Sequence, residues 1–315
     1  MNFAPGIPEY IARAEALFPA KLETASLAEK RAGYTALCQA FDGPRPVEIE
    51  VSNLAAPGPA GEVPLRLYRP HAPLPVPMLL FMHGGGIVVG GLDSHDGICA
   101  DLAHGLKAAV LAVDYRLVPE HRSPAPEDDC WMALLHAVGR SSELGIDPER
   151  IVVGGDSAGG NLAAGLCLRA RVEGSPRLAG QALIYPCLGL EVAAPERFQT
   201  GDAPGITRAG MIAYRKLQLG EAWEDADPVS VPLLAKGFEG LPPAYVIAME
   251  FDPLRDDAEV YAERLGKDGV ACDFTVWPGL IHGSLRARHS CPAAGAAFAH
   301  IVAGTRALMD REPNV

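Results

Sequence analysis

The chain has 315 residues, 49% hydrophobic and 21% charged, the balance of a globular protein able to bury a large core. Its 27 basic and 39 acidic residues give a net charge of −12 with no dense basic stripe, which excludes nucleic-acid binding and leaves acidity as a matter of solubility. The seven cysteines are scattered, with no C-x-x-C pair and no zinc-ligand spacing, and no secretory signal or membrane-length apolar run is visible, so the expectation is a cytoplasmic protein without a metal site or membrane span.

In chain order, residues 9–41 are rich in Ala, Leu, Glu and Lys with helical periodicity and break at Asp42-Gly43-Pro44. The reading is an N-terminal helical cap over residues 1–45. Two alternating segments, Val47–Leu54 and Val63–Arg69, follow as a hairpin across a Pro/Gly-rich turn. From Pro75 onward, apolar runs alternate with helical patterns. The strands expected are Met78–Met82, Val110–Asp114, Ile151–Val153, Gln181–Tyr185, Tyr245–Glu250 and Asp273–Trp277. The helices expected are His95–Leu106, Glu127–Val138, Asn161–Arg171, Asp256–Gly266 and Ala293–Met309. Continuous apolar strands interleaved with helices imply an α/β fold with a mostly parallel sheet covered on both faces, within residues 46–315. About sixty residues separate Tyr185 from Tyr245, too many for an ordinary connection, so 187–235, with a helix near Thr207–Leu219, reads as a second cap insertion.

Four short stretches carry chemistry. Gly155-Asp156-Ser157-Ala158-Gly159 lies between an apolar β-branched run and a helix, as a G-x-S-x-G nucleophile elbow does. Such a turn strains the serine and crowds both flanking positions against their neighbours, where only glycine fits. The bland alternative is a glycine-rich loop without catalytic interest. A serine hydroxyl needs a base, and the base needs an orienting acid, in the chain order Ser, Asp or Glu, His at strand ends. Asp252 follows an apolar strand; it also reads as a helix cap before Pro253, and both can hold at once. Of the later histidines, His300 falls within a helix and His289 among arginines, whereas His282 follows a strand and a Pro-Gly turn, which is where a base belongs. His83-Gly84-Gly85-Gly86 directly follows a strand and offers bare backbone amides for an oxyanion: Gly84 and Gly85, with Ala158 after the nucleophile. His83 is expected to brace this loop together with Gly86, and no phosphate-loop pattern is present.

Taken together and in this order, these stretches resemble the bacterial hormone-sensitive lipase family of esterases, as does Asp114-Tyr115-Arg116-Leu117-Val118-Pro119-Glu120-His121. The likeness spans roughly residues 75–305. It implies an eight-stranded α/β-hydrolase core, a lid partly built from the N-terminal helices, and hydrolysis of short- to medium-chain carboxylic esters without cofactor. It also implies pairing as a homodimer, and it makes Ser157 the nucleophile, His282 the base and Asp252 its partner. Ile87 and Ser284 stand where the family commonly has rings, so a widened substrate pocket is expected there. An amide, formamide or carbamate hydrolase on the same machinery is one alternative, and a non-catalytic small-molecule receptor is another.

Overall fold

The computed structural model describes residues 1–18, 25–220 and 223–311. The parts of the N-terminal helical segment at 19–24 and of the 187–235 segment at 221–222 lie outside the described residues. The chain begins with α1 (Ile7–Leu17) and α2 (Leu27–Gln39), the latter closed by a reciprocal capping box between Ser26 and Glu29. The hairpin β1 (Ile49–Gly58) and β2 (Gly61–Pro70) then leads to β3 (Val76–Met82), α3 (Asp96–Leu106), β4 (Ala109–Val113), α4 (Ala125–Gly139) and the short α5 (Ser141–Leu144). Next come β5 (Ile146–Asp156), α6 (Ala158–Glu173), β6 (Gly180–Ile184), α7 (Leu190–Ala193) and α8 (Arg208–Leu219). The chain ends with β7 (Ala244–Phe251), α9 (Arg255–Lys267), β8 (Cys272–Ile281), a 3₁₀ turn at Ser284–His289 and α10 (Pro292–Met309).

The strands form one eight-stranded sheet in the order β1-β2-β4-β3-β5-β6-β7-β8. Only β2 runs antiparallel to its neighbours β1 and β4; from β4 through β8 all pairs are parallel. Period-two alternation divides the core into two layers. Met78, Leu80, Met82, Ile151, Val153, Val246 and Ala248 face the layer built from α4, α6 and α9. Leu79, Phe81, Val152, Ile184, Tyr245 and Ile247 face the layer built from α3 and α10. Both faces are therefore buried, which is why the inner strands read as unbroken apolar runs.

Several elements differ from the sequence expectation, among them β5, which runs Ile146–Asp156 rather than Ile151–Val153. Strand β8 continues to Ile281 through Pro278-Gly279, where a turn was expected. As the outermost strand it tolerates a proline, and a register shift between Met249 and Phe251 absorbs the irregularity, with Gly279 N donating to Glu250 Oε2 at 2.7 Å. Helix α6 starts at Ala158 rather than Asn161, because Ser157 itself is the helix N-cap. Among the described residues, no helix is long and apolar enough to cross a membrane.

Helix α10 approaches the sheet closely. A Cβ on Gly304 would lie 2.1 Å from Cδ2 of the buried Tyr245. Alanine favours helix by about 1 kcal/mol over glycine, whereas overpacking costs about 1–3 kcal/mol. Gly304→Ala is expected to lower the urea midpoint, while Gly139→Ala, with nothing within 4 Å of its added Cβ, is not.

Candidate active site

The ends of β3, β5, β7 and β8 converge at one edge of the parallel sheet. Between β5 and α6, Ser157 adopts φ 56 and ψ −117, a region that L-residues avoid. The turn is sharp because the elbow lies directly against the end of β3. An added Cβ on Gly155 would stand 2.2 Å from Met82 O, and one on Gly159 would stand 1.9 Å from the same oxygen. Ser157 N donates to Ile184 O at 2.9 Å, and Cys187 N donates to Ser157 O at 3.1 Å, so backbone bonds on both sides hold the strained residue. Of the four non-glycine residues with positive φ among the described residues, three (Ile87, Ser157 and Tyr185) belong to this region.

Ser157 Oγ lies 3.0 Å from His282 Nε2, and His282 Nδ1 lies 2.7 Å from Asp252 Oδ2. A carboxylate accepts only, so the imidazole proton resides on Nδ1 and the lone pair of Nε2 faces the serine hydroxyl. Asp252 is fully buried, and its Oδ1 accepts the Leu254 N–H at 2.9 Å. The carboxylate thus both closes the turn into α9 and holds the imidazole. The Tyr185 ring meets the imidazole edge-on at 4.9 Å, and Tyr10 OH donates to Gly283 O at 3.1 Å. Burial pulls the His282 pKa down, but the charge and hydrogen bond of Asp252, with Asp156 adding to them, leave it above the ordinary 6.5.

The loop after β3 differs from expectation at Gly84. Its N–H donates to Asp156 Oδ1 at 2.9 Å, and one amide carries one proton. Gly84 is therefore not available to an oxyanion. Among the described residues the amides of Gly85, Gly86 and Ala158 donate to no protein acceptor. Gly85 has φ 121, and a Cβ there would lie 2.2 Å from Val89 O; Gly86 has φ 64, and a Cβ there would lie 2.6 Å from Tyr214 Cδ2 of α8. Ala158 opens α6, where the first amides have no intrahelical acceptor and the helix dipole favours negative charge.

His83 is stacked on Tyr115 at 4.2 Å between centroids, with Nδ1 2.8 Å from Gly84 O, and Tyr115 OH donates to His83 O at 2.5 Å. Burial and the neighbouring His95 push its pKa down to about 3, so it stays neutral, with Nδ1 engaged at the loop carbonyl of Gly84. Ile87 and Ser284 are buried side chains, 2% and 0% exposed, and Ile87 belongs to the core layer that also holds α4, α6 and α9. Sequence reasoning passed over Asp156, His95 and Arg286. Their signal was weak: an acid beside the nucleophile, a histidine before a helix, and an arginine shortly after the histidine at 282. No cluster of three or more metal-ligating side chains occurs among the described residues.

A family model described as alpha/beta hydrolase fold matches residues 79–286. The carboxylic ester hydrolase LipN of Mycobacterium tuberculosis is 38% identical over 287 residues, which cover 89% of this chain and 76% of that protein. A solved bacterial heroin esterase superposes with a TM-score of 0.85 at 38% identity, covering 91% of this chain and 93% of its own. A hyperthermophilic esterase from the archaeon Pyrobaculum calidifontis gives a TM-score of 0.89 at 30% identity, covering 98% and 99%.

The contact between Gly159 and Met82 O is backbone on backbone, so no side chain can yield to relieve it. Gly159→Ala is expected to destabilise the protein by about 3 kcal/mol or more, read as a fall in the urea midpoint. An unchanged midpoint would show that the elbow can back away from β3.

Proposed function

The chain belongs to the α/β-hydrolase fold family, and from that premise we propose that it is a serine carboxylesterase acting on short- to medium-chain esters through Ser157, His282 and Asp252. The observation that carries this reading is the unbroken line of hydrogen-bonding distances, 3.0 Å from Ser157 Oγ to His282 Nε2 and 2.7 Å from His282 Nδ1 to Asp252 Oδ2. Ser157 Oγ attacks the ester carbonyl carbon as its proton passes to His282 Nε2, and the π-electrons of the carbonyl move onto oxygen. The amides of Gly85, Gly86 and Ala158 receive that oxyanion, each such donor being worth on the order of 10²–10³ in turnover. Asp252 stabilises the imidazolium without taking its proton. Collapse expels the alcohol, which takes the proton from His282 Nε2. Water, deprotonated by the same nitrogen, then releases the acid from Ser157.

We assign the cap to α1, α2 and residues 187–235. Helix α2 reaches the loop after β3 through Arg31, whose Nε donates to Val88 O at 2.9 Å, and α8 lays Tyr214 over Gly86. Tyr214 thereby forms a wall beside the proposed oxyanion donors and limits the bulk of the ester.

Ser157→Ala is expected to lower kcat by roughly 10⁴-fold or more, and Asp252→Asn by roughly 10⁴-fold. Hydrolysis of p-nitrophenyl esters checks both, and stoichiometric labelling of Ser157 by an organophosphonate identifies the nucleophile. Wild-type protein that neither hydrolyses such esters nor takes the label would overturn the reading. A protonated imidazole cannot accept the serine proton, so activity falls as pH drops through the His282 pKa. Because that pKa is raised, the acid limb of kcat/KM is expected above pH 6.5. A limb well below 6.5 would contradict the environment described for His282.

A further inference from the structure

A second set of buried charges lies beside the triad, and the steps above do not use it. Asp156 precedes the nucleophile and is 4% exposed; its Oδ1 accepts the Gly84 amide at 2.9 Å. The same oxygen lies 3.3 Å from His95 Nε2. Arg286, 6% exposed and on the 3₁₀ turn that follows His282, brings Nη2 to 3.1 Å from that ring nitrogen. Arg286 also donates from Nη1 to Ser94 O at 3.1 Å and from Nη2 to the hydroxyl of Tyr34 on α2 at 2.9 Å. Ser94 Oγ lies 2.8 Å from His95 Nδ1 and accepts the Gly91 amide at 3.0 Å. One cluster therefore joins the loop after β3, the nucleophile turn, the histidine turn and helix α2, residues far apart in sequence.

We propose that Arg286 is a positioning residue for the esterase reaction: across His95 it neutralises the Asp156 carboxylate, which in turn fixes the loop that presents Gly85 and Gly86. The inference rests on the serine-esterase reading above. The physical reason is the sign of the charges. The oxyanion develops beside a loop whose first glycine is bonded to a buried carboxylate, and a negative charge there opposes the one forming in the transition state. A guanidinium within the same cluster cancels that opposition while Asp156 keeps its grip on Gly84. The tether to Tyr34 makes the cap helix part of the arrangement.

The pair also acts on His282 with opposite sign. The groups facing His282 are Asp252 from the end of β7, Asp156 from the end of β5, Tyr185 after β6, Tyr10 from α1 by way of Gly283, and Arg286 from its own turn. Asp156 favours the imidazolium, and Arg286 disfavours it. Around Arg286 itself stand His95, Tyr34, Tyr10, Cys38 and Asp156. Burial holds His95 below its ordinary pKa, so the bridging ring stays neutral and the two charges are Asp156 and Arg286.

The test measures kcat, KM and the acid limb for p-nitrophenyl butyrate in Arg286→Gln, Arg286→Lys and Asp156→Asn, with phosphonate labelling of Ser157 and thermal melting as folding controls. Arg286→Gln is expected to lose roughly ten- to a hundredfold in kcat. Its KM is expected to stay within about twofold, because the lost interaction belongs to the transition state. Its acid limb moves to higher pH. Asp156→Asn moves the limb to lower pH, and Arg286→Lys, which keeps the charge, restores most of the wild-type limb. A purely structural role would lower labelled enzyme or melting temperature without opposite shifts. Folded, labelled Arg286→Gln with wild-type kcat, or limbs moving in the same direction, would overturn the proposal. If Arg286→Gln does not fold, Asp156→Asn decides alone: a downward shift supports the proposal and an unmoved limb overturns it. Failure of the esterase reading would appear separately, as wild-type protein without activity or label.

Discussion

The site depends on how closely two backbones meet, the end of β3 and the turn from β5 into α6. Met82 O stands where a Cβ of either Gly155 or Gly159 would be, at 2.2 and 1.9 Å. With glycine at both positions the elbow closes onto the neighbouring strand, and two consequences follow. Ser157 is forced to φ 56, a conformation costing about 1–3 kcal/mol, and its hydroxyl meets His282 Nε2 at 3.0 Å. The loop after β3 is brought within hydrogen-bonding reach of Asp156, so Ser157 and that loop share one rigid frame. Parallel pairing of β3 with β5, and of β5 with β6, supplies the stiffness that holds the strained turn.

Electrostatics in this frame are layered. His282 lies between the buried carboxylate of Asp252, which it meets directly, and the Asp156–Arg286 cluster, whose two members pull its protonation in opposite directions. Burial alone would favour the neutral imidazole; the nearby carboxylates reverse that and raise its basicity. His83 and His95 show the other outcome. For each, burial outweighs the neighbouring Asp156 carboxylate, which pulls the other way, so each is pushed toward the neutral form and serves as a spacer.

The flanking segments are fastened by buried polar groups rather than by apolar packing alone. Arg31 forks onto Val88 O and Val118 O while pairing with Glu120, which ties α2 to the loop after β3. Arg215 on α8 is 4% exposed and donates to Glu191 Oε1, Gln218 Oε1 and Ser230 O. Asp257 on α9 gathers the amides of Leu188, Gly189 and Leu190 on one oxygen. Bonds of this kind impose a geometry that an apolar contact does not, which suits elements that must hold side chains such as Tyr214 and Tyr34 close to the site.

Much of this was legible in the sequence because it is written locally. Unbroken apolar runs gave the inner strands, 3.6-residue periodicity gave the helices, and glycines flanking Ser157 marked a turn that only they permit. The chain order of Ser157, Asp252 and His282 at strand ends singles out a candidate triad, and the structure brings those three side chains within hydrogen-bonding distance. Other features arise only when distant segments meet. That the Gly84 amide is taken by Asp156, 72 residues away, depends on the approach of two backbones. The burial of Ile87 and Ser284, and the meeting of Arg286 with His95 across 191 residues, likewise have no local signature. Periodicity and steric tolerance are properties of neighbouring residues and survive in a linear string, whereas the partner of a buried charge or amide is set by where the whole chain brings its ends together.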